Sequence, residues 1–240
     1  MGETDFLAGY DPDAFARPSV AVDLVLLTVA EGGLAALLQQ RQDHPHKGDW
    51  GLPGSFVGIE EGVDDAARRV LATKAGIDTA YLEQLYTFGA PARDPRMRII
   101  TIAYFALLPA DVLVTAVQDR SDLAIVPLVP LSGEQSGRIT ARRPGQEPLP
   151  LAFDHAEILG HAVKRLRRKL DYSQVAFALL PALFTLRALQ DVHEAILGTT
   201  LGKPAFRRRM LDKGWIEGTG LRESGASFRP AELYRLIAGE

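Results

Sequence analysis

Residues 51–77 contain the side chains in this sequence that come closest to a metal site. The loop GLPGS is followed by Glu60 and Glu61 and then by an amphipathic helical pattern. Carboxylates placed in this way could gather around Mg²⁺, which needs several oxygen ligands or waters in an octahedral array. The helical face that would complete the site carries Val70, Thr73 and Lys74 instead of carboxylates. Because a hard cation would meet an ammonium and a hydroxyl there, we expect a pocket that holds no metal.

The same segment resembles the Nudix box, Gly-x5-Glu-x7-Arg-Glu-hydrophobic-x-Glu-Glu-x-Gly-hydrophobic. The positions that match the pattern or would keep its shape are Ser55 at the opening Gly, Glu61, Arg69, Leu71, Gly76 and Ile77. The three Glu positions of the helix hold Val70, Thr73 and Lys74. In the family these carboxylates bind magnesium and activate water, so the resemblance implies a pocket that binds its ligand without cleaving it.

An active Nudix hydrolase, cleaving ADP-ribose or a related nucleoside diphosphate derivative, is the alternative. It would need Glu60, Asp64 and Asp65 to replace the absent glutamates. Asp64 and Asp65 could equally serve to cap the helix, whose first turn they occupy. Release of AMP in the presence of magnesium would distinguish the hydrolase from a binding protein.

Lys74 lies where the family places metal-binding carboxylates and could neutralise a diphosphate as a point charge. It could equally be a solvated residue that pairs with a nearby carboxylate. Cations in the neighbouring loops could clamp a diphosphate or ribose, or could be ordinary exposed loop charges. Three aromatic residues could stack on adenine, although core packing is the commoner role of such side chains. The candidate ligand-binding residues are Arg41, Trp50, Glu61, Lys74, Phe88, Arg93, Arg96 and Tyr104.

The elements around this pocket alternate between strand and helix patterns. Strands are predicted in SVAVDLVLLTV, LAALLQQR, YLEQLYTFGA, RIITIAYFALLPA and LAIVPLVP. Helices are predicted in VDDAARRVLATKAG and in LAFDHAEILGHAVKRLRRKL, and residues 132–150 read as an irregular insertion with a short strand at 138–141. The pattern predicts an α+β layered structure over residues 1–170. The Nudix resemblance implies an α/β/α sandwich.

Composition and charge limit the class of protein further. The 240 residues include no cysteine, which excludes disulfides and thiolate metal sites and fits a reducing, cytoplasmic compartment. The sequence contains neither an export signal pattern nor an apolar run of 18 residues, so no membrane span is expected. Residues 154–240 hold 14 Lys and Arg against 10 Asp and Glu, a balance of +4 in a chain of net charge −3. A basic end on an acidic chain favours an anionic partner at that end.

Residues 171–240 follow the element order of a winged helix-turn-helix. FTLRALQDVHEAILG predicts a helix that begins after Thr185 and ends at Gly198, and KPAFRRRMLDKG predicts a second that ends at Gly214. A strand, a glycine-rich loop and another strand follow, as in a wing. We therefore divide the chain into an effector-sensing domain, 1–170, and a DNA-binding domain, 171–240.

The second of these helices carries most of the basic residues of the tail. Because successive residues are about 100° apart on a helix, at most two of its three consecutive arginines can face one groove. Phe206, Met210 and Leu211 are expected to face inward and dock the helix. The candidate DNA-binding residues, including two arginines expected on either side of a wing tip at Gly225, are Lys203, Arg207, Arg208, Arg209, Lys213, Arg222 and Arg229.

The whole chain from about residue 11 resembles the NAD-related Nudix transcriptional regulators, the NrtR family. The segments FDHAEIL, FTLRALQDVHEAILG and FRRRML carry the likeness beyond the box. The resemblance implies a homodimeric repressor of NAD metabolism genes that binds operator DNA and senses ADP-ribose or a related nucleotide, with no cofactor. Besides the hydrolase, an adaptor protein whose basic tail docks acidic partners is a further alternative. His44 and His46 form an H-x-H pair without a third ligand, so no metal site is expected there.

Overall fold

The computed structural model describes residues 2–131, 137–223 and 230–237. The helices are α1 (Glu3–Gly9), α2 (Val63–Val70), α3 (Ala110–Val117), α4 (His155–Lys169), α5 (Leu186–Leu197) and α6 (Lys203–Asp212). The strands are β1 (Ser19–Ala30), β2 (Gly33–Gln40), β3 (Trp50–Gly51), β4 (Gly54–Phe56), β5 (Glu83–Phe88), β6 (Ile99–Leu107), β7 (Leu123–Pro130), β8 (Ile139–Ala141), β9 (Phe184–Thr185), β10 (Ile216–Arg222) and β11 (Glu232–Leu236). Helical turns of 3-10 type lie at Pro12–Ala14 and Val175–Leu179, and a π-helical turn at Leu71–Ala75 follows α2.

The first eight strands form one mixed sheet in the order β5-β6-β1-β2-β7-β8. β1 pairs parallel with β6 over Ser19–Leu27 and antiparallel with β2 across the turn at residues 31–32. The short strands β3 and β4 pair with β2 and β1, and so hold the GLPGS loop against the sheet. The approach to the Nudix-like helix is thus fixed by main-chain hydrogen bonds.

Alternating residues of β1 enter two separate cores, as the two-residue period of a strand requires. Val25 and Leu27 pack with the side of the sheet that α4 covers. Val22, Leu24 and Leu26 pack with the side that α2 and α3 cover. Helices therefore lie on both faces of the sheet, and the expected α/β/α sandwich is confirmed.

Two helices, α1 and α3, were not predicted from the sequence. α3 has the sequence ADVLVTAV, whose β-branched residues favour a strand, yet it follows Pro109 and buries Leu113 against the sheet. α1 buries none of its residues, so no core-facing periodicity marks it. The short strand expected at 138–141 is present as β8, which pairs with β7. Part of the predicted 132–150 insertion, residues 132–136, lies outside the described residues.

The C-terminal elements form the predicted helix-turn-helix with a β-hairpin. Thr185 Oγ1 accepts a hydrogen bond from the Ala188 amide at 3.0 Å, and Gly198 ends α5 at φ 70°, as the capping pattern predicted. Phe206 and Met210 dock α6 into a core that includes Phe184 and Tyr234. The inward direction predicted for Leu211 was wrong. Its side chain is 41% exposed because the neighbouring helical position 210 already faces the core.

The second domain shares a core with the first. Val192 and Ile196 of α5 belong to the same apolar cluster as Val25 and Leu27 of the sheet. α4 lies beside α5. It also approaches the main chain at Gly137 so closely that a Cβ at Gly160 would come 2.3 Å from the Gly137 carbonyl oxygen. The helix pair therefore packs as part of the sandwich layer and not as a detached module.

Candidate functional site

A pocket opens beside the end of β2, between the GLPGS loop, the loop at residues 91–98 and the start of α4. Of the predicted ligand-binding residues, Arg41, Lys74, Arg93 and Arg96 line it, and so does Ser55 of the box. Four cationic side chains from three stretches of sequence thus converge on one cavity. Such an arrangement suits an anionic ligand.

The three arginines of the pocket differ in their exposure and in their hydrogen-bond partners. Arg93 is only 5% exposed and forms a double hydrogen bond with Asp154, at 2.8 and 2.7 Å. Arg96 is held in the same way by Asp94, but its side chain is 42% exposed. Arg41 donates to the carbonyl oxygen of Pro45 at 2.8 Å, and its pKa is lowered by burial and then by the nearby Arg96. Arg93 is thus a framework residue, whereas Arg41 and Arg96 can present charge to a ligand.

Lys74 is half-buried at the pocket edge and makes no ion pair among the residues that the structure describes. Its neighbour in the pattern, Thr73, donates its hydroxyl to the carbonyl oxygen of Arg69 at 2.7 Å. Val70 is fully buried beneath the helix. The interpretation that Lys74 pairs with a nearby carboxylate is therefore not supported, and its ammonium remains available to the cavity.

The residues of the box that match the Nudix pattern attach the loop before the helix to the helix itself. Arg69 donates to both carboxylate oxygens of Glu61, at 2.7 and 2.8 Å, and to the carbonyl oxygen of Phe56 at 3.0 Å. The hydrogen bond from Arg69, aided by the Gly58 amide, lowers the pKa of Glu61 to about 2. Gly76 ends the π-helical turn at φ 68°, a conformation that disfavours other residues. The loop and the helix are thus joined by these hydrogen bonds and not through a metal ion.

Four predicted ligand-binding residues do not line the pocket. Glu61 is occupied by Arg69, as described above. Trp50 is 8% exposed in the core and is covered by Arg143, whose guanidinium carbon lies 5.4 Å from the ring centroid. Phe88, 5% exposed, packs edge-on against His161. Tyr104, 3% exposed, donates to Asp64, and burial followed by that hydrogen bond raises its pKa to about 12. The predicted aromatic stacking role of these residues was wrong because the sheet buries all three rings.

The residues that sequence reasoning missed come chiefly from the start of α4 and from β1. Phe153 and Phe56 are the aromatic side chains of the pocket, and the guanidinium carbon of Arg41 lies 4.7 Å from the Phe153 ring centroid. Asp23 and His155 form the buried floor. These residues are up to 132 positions apart in the sequence, so no local pattern linked them. Phe56 was the exception, because its position next to Ser55 of the box could have marked it as a pocket residue.

No cluster of three or more histidine or carboxylate side chains with metal-site geometry is present within residues 2–131, 137–223 and 230–237. His46 contacts Asp49 at 3.1 Å and packs edge-on against Phe153. Three carboxylates line the pocket beside its four cations, and they are Asp23, Asp43 and Asp94. The remaining excess of positive charge favours an anionic ligand such as a phosphate over a divalent cation.

The cationic face of α6 is formed by Arg208, Arg209 and Lys213, which line a shallow concavity with Ala205 and Asp212. Arg208 is 86% exposed and lies 3.6 Å from Asp212. Lys213 donates to the main-chain oxygen of Asp171 at 2.6 Å. Two of the three consecutive arginines thus share one side, as the helical geometry predicted.

The remaining predicted DNA-binding residues are more dispersed. Arg207 faces Tyr234, whose hydroxyl lies 3.4 Å away, and Lys203 is exposed at the start of α6. Arg222 donates to the carbonyl oxygen of Pro230 at 3.0 Å, and so joins the two strands of the hairpin. The predicted partner of Arg222 across the tip, Arg229, lies outside the described residues, as does Gly225.

The fold and the two sites define a class of protein that joins a Nudix domain to a winged helix. Family models agree, since the NUDIX domain matches residues 17–137 and the NrtR DNA-binding winged helix domain matches residues 176–236. The chain is 39% identical over 235 residues, 97% of its length and 88% of the relative's, to the ADPR responsive transcriptional repressor NtrR of Acinetobacter baylyi. The chain therefore belongs to the NrtR family.

Solved structures show the same relationship. The Shewanella oneidensis NrtR complexed with a 27mer DNA is similar at a TM-score of 0.74 and 36% identity, covering 91% of this chain and 93% of that one. The Nudix domain of the same protein complexed with ADP ribose is similar at a TM-score of 0.50 and 31% identity, covering 69% of this chain and 99% of that one. The likeness thus extends over both the pocket-bearing domain and the winged helix. Within the described residues, no helix is long and apolar enough to cross a membrane.

Proposed function

We propose that this protein is a transcriptional repressor that binds operator DNA through α6 and the β10–β11 hairpin, and that ADP-ribose or a related nucleotide releases it. The near full-length similarity to a relative named for that activity supports the proposal. The similarity to the DNA and ADP ribose complexes supports each half separately. The resemblance to regulators of NAD metabolism makes genes of that metabolism the expected targets.

The observation that carries the proposal is the altered Nudix helix at the pocket edge. The box positions that supply carboxylates in the family hold the buried Val70, the hydrogen-bonded Thr73 and the cationic Lys74. The cavity keeps cations for a diphosphate but has no oxygen cluster for magnesium among the described residues. A nucleotide can be bound in such a cavity without the groups that would activate water.

The proposal includes assembly as a homodimer in the cytoplasm. Winged helices that read palindromic operators do so in pairs, with the reading helices one or more turns of DNA apart. A dimer also offers the two arrangements that an effector needs, because a ligand shifts an equilibrium only by binding one state more tightly. Measurement of the molar mass in solution, with and without operator, tests this part.

Selection from a random-sequence DNA pool, performed with and without ADP-ribose, tests the function as a whole. We expect a preferred palindromic site in the absence of ADP-ribose and loss of that enrichment in its presence. Binding that depends on salt but shows no preferred sequence would contradict the proposal.

A second experiment tests the expectation that the protein is not an enzyme. Incubation with ADP-ribose and Mg²⁺ should release no more AMP than a matched control lacking protein. Turnover at rates typical of enzymes would instead support the hydrolase, and would require another residue to replace the missing carboxylates.

A further inference from the structure

The floor of the pocket contains a hydrogen-bond acceptor that no group in the described residues satisfies. The Asp23 side chain is only 10% exposed, and its Oδ2 accepts from the Thr101 hydroxyl at 2.8 Å and lies 3.5 Å from the guanidinium of Arg93. Its other oxygen, Oδ1, has no hydrogen-bond donor within residues 2–131, 137–223 and 230–237. Its nearest ionic neighbour is His155 Nε2, at 3.8 Å. This oxygen of a largely buried side chain therefore faces the cavity with lone pairs free.

His155 supplies a donor beside that oxygen. Its Nδ1 accepts a hydrogen bond from the Leu52 amide at 2.9 Å, so Nδ1 carries no proton and the neutral ring is protonated at Nε2. The ring is buried with 5% of the side chain exposed, and burial lowers its pKa, which favours this neutral form. Asp23 Oδ1 and His155 Nε2–H are thus an acceptor and a donor 3.8 Å apart. This separation is too long for a direct hydrogen bond but allows one hydroxyl to contact both.

Two glycines leave space for a ligand beside Asp23 and His155. A Cβ at Gly54 would come 2.3 Å from Asp23 Oδ1, and a Cβ at Gly51 would come 2.9 Å from His155 Nδ1. Both glycines line the pocket. The adjacent main chain can therefore lie close to the two side chains without a side chain of its own to fill the space.

The charge of the pocket floor determines which part of a nucleotide can bind there. Asp23 and Asp154 surround the single cation of Arg93, so the floor is negative when His155 is neutral. A phosphate oxygen carries no proton to donate to a carboxylate and would be repelled. A sugar hydroxyl can donate to Oδ1 and accept from Nε2–H at once. The diphosphate belongs instead near the cations Arg41, Arg96 and Lys74, which are more exposed.

We propose that Asp23 and His155 form a hydroxyl-binding subsite for the distal ribose of a nucleoside diphosphate ribose, and that this subsite distinguishes it from the simple nucleoside diphosphate. This inference rests on the proposed function, since it presupposes that the pocket binds such a nucleotide. The base then lies toward the mouth, where Phe56 is 40% exposed. The order from mouth to floor is base, diphosphate, distal sugar.

Calorimetric titration of the full chain with ADP-ribose and with ADP tests the subsite. We expect the wild-type protein to bind ADP-ribose more tightly than ADP. Asp23→Asn and His155→Gln should weaken ADP-ribose binding roughly ten- to hundredfold, because the first replaces a charged acceptor by a neutral amide and the second displaces the Nε2 donor, and should leave ADP binding unchanged. Thr101→Val is the matched control, because Thr101 contacts Oδ2 and does not line the pocket. It should retain most of the preference for ADP-ribose.

If a variant fails to fold, a modified ligand tests the same subsite on the wild-type protein. An ADP-ribose analogue that lacks distal ribose hydroxyls should bind the wild-type protein about as weakly as ADP. Equal weakening of ADP and ADP-ribose in Asp23→Asn would overturn the subsite, because it would place the base or the proximal sugar at the floor. An analogue bound as tightly as ADP-ribose would overturn it too. If the wild-type protein bound neither ADP-ribose nor ADP, the proposed function itself would be at fault.

Discussion

Arg167 on α4 donates a hydrogen bond from its Nε to the main-chain oxygen of Ile196 on α5, at 2.9 Å. The last carbonyl groups of a helix have no partners within the helix, so this contact satisfies one of them just before α5 ends at Gly198. α4 begins at the pocket, where Asp154 holds Arg93 and His155 forms the floor. One 15-residue helix therefore contacts the ligand site at one end and the helix-turn-helix at the other.

Arg167→Ala is expected to lower the free energy of unfolding by about 1 kcal/mol, because it leaves the Ile196 carbonyl without its charged donor. It should also reduce the effect of ADP-ribose on operator affinity, since the contact joins the two sites. Chemical denaturation and DNA titration with and without ADP-ribose measure the two effects. Arg168→Ala is the control, because Arg168 has no partner among the described residues, and it should change stability by less than about 0.5 kcal/mol. An unchanged ligand response in Arg167→Ala would place the coupling elsewhere.

The exposed face of α6 gives a prediction about DNA affinity. Arg208→Ala and Arg209→Ala should each weaken operator binding and lower the slope of log affinity against log salt by about 1, if each arginine contacts a phosphate. Fluorescence anisotropy over a series of salt concentrations measures both quantities. Arg68→Ala is the control, because Arg68 is an exposed, paired residue of α2 in the other domain. A salt slope that stays the same in both α6 variants would remove α6 from the DNA contact.

Lys74 gives a prediction about the diphosphate. Lys74→Met should weaken ADP-ribose binding about tenfold, and Lys74→Glu more, because the first removes and the second reverses a charge near the phosphates. Adenosine, which carries no phosphate, should be affected little by either change. Calorimetry with both ligands makes the comparison, and Lys164→Met, on the exposed side of α4, serves as the control. If adenosine binding fell as far as ADP-ribose binding, the effect of Lys74 would be structural.

The sequence predicted those features of the fold whose signals are local. Thr185 and Gly198 marked both ends of α5 because capping depends on residues within one turn of the chain. Strands β1, β2, β5, β6 and β7 were found from runs of β-branched and apolar residues. α3 was missed because its valines favour a strand, and a tertiary contact through Leu113 outweighs that preference.

Of the residues that line the pocket, the sequence predicted the four cations, Arg41, Lys74, Arg93 and Arg96. Lys74 was predicted from its position in the Nudix pattern, whereas Ser55, which also lines the pocket, was predicted only as a structural position of the box. The aromatic residues predicted for stacking are buried, whereas Phe153 and His155 reach the pocket from the loop before α4 and from its first residue, far away in the sequence. Such residues are joined by packing of the helix on the sheet, and a single sequence holds no record of that contact.

Acidification gives the last prediction, which concerns the two buried imidazoles. Burial lowers the pKa of His155, next to Asp23, Asp154, Arg93 and Arg41, and burial also lowers the pKa of His193, which faces Leu189 and Phe206 in the winged helix. In the unfolded chain both should titrate near 6.5.

As the pH falls below about 6.5, the unfolded state therefore binds protons that the folded state does not, and stability is lost. The slope should approach about 1.4 kcal/mol per pH unit for each proton taken up. Chemical denaturation between pH 7.5 and 5.5 measures this slope. His155→Gln should reduce it by close to one proton, and His193→Gln should reduce it independently, because the two rings lie in different cores. A slope unchanged by His155→Gln would show that the His155 ring is not held neutral in the folded protein.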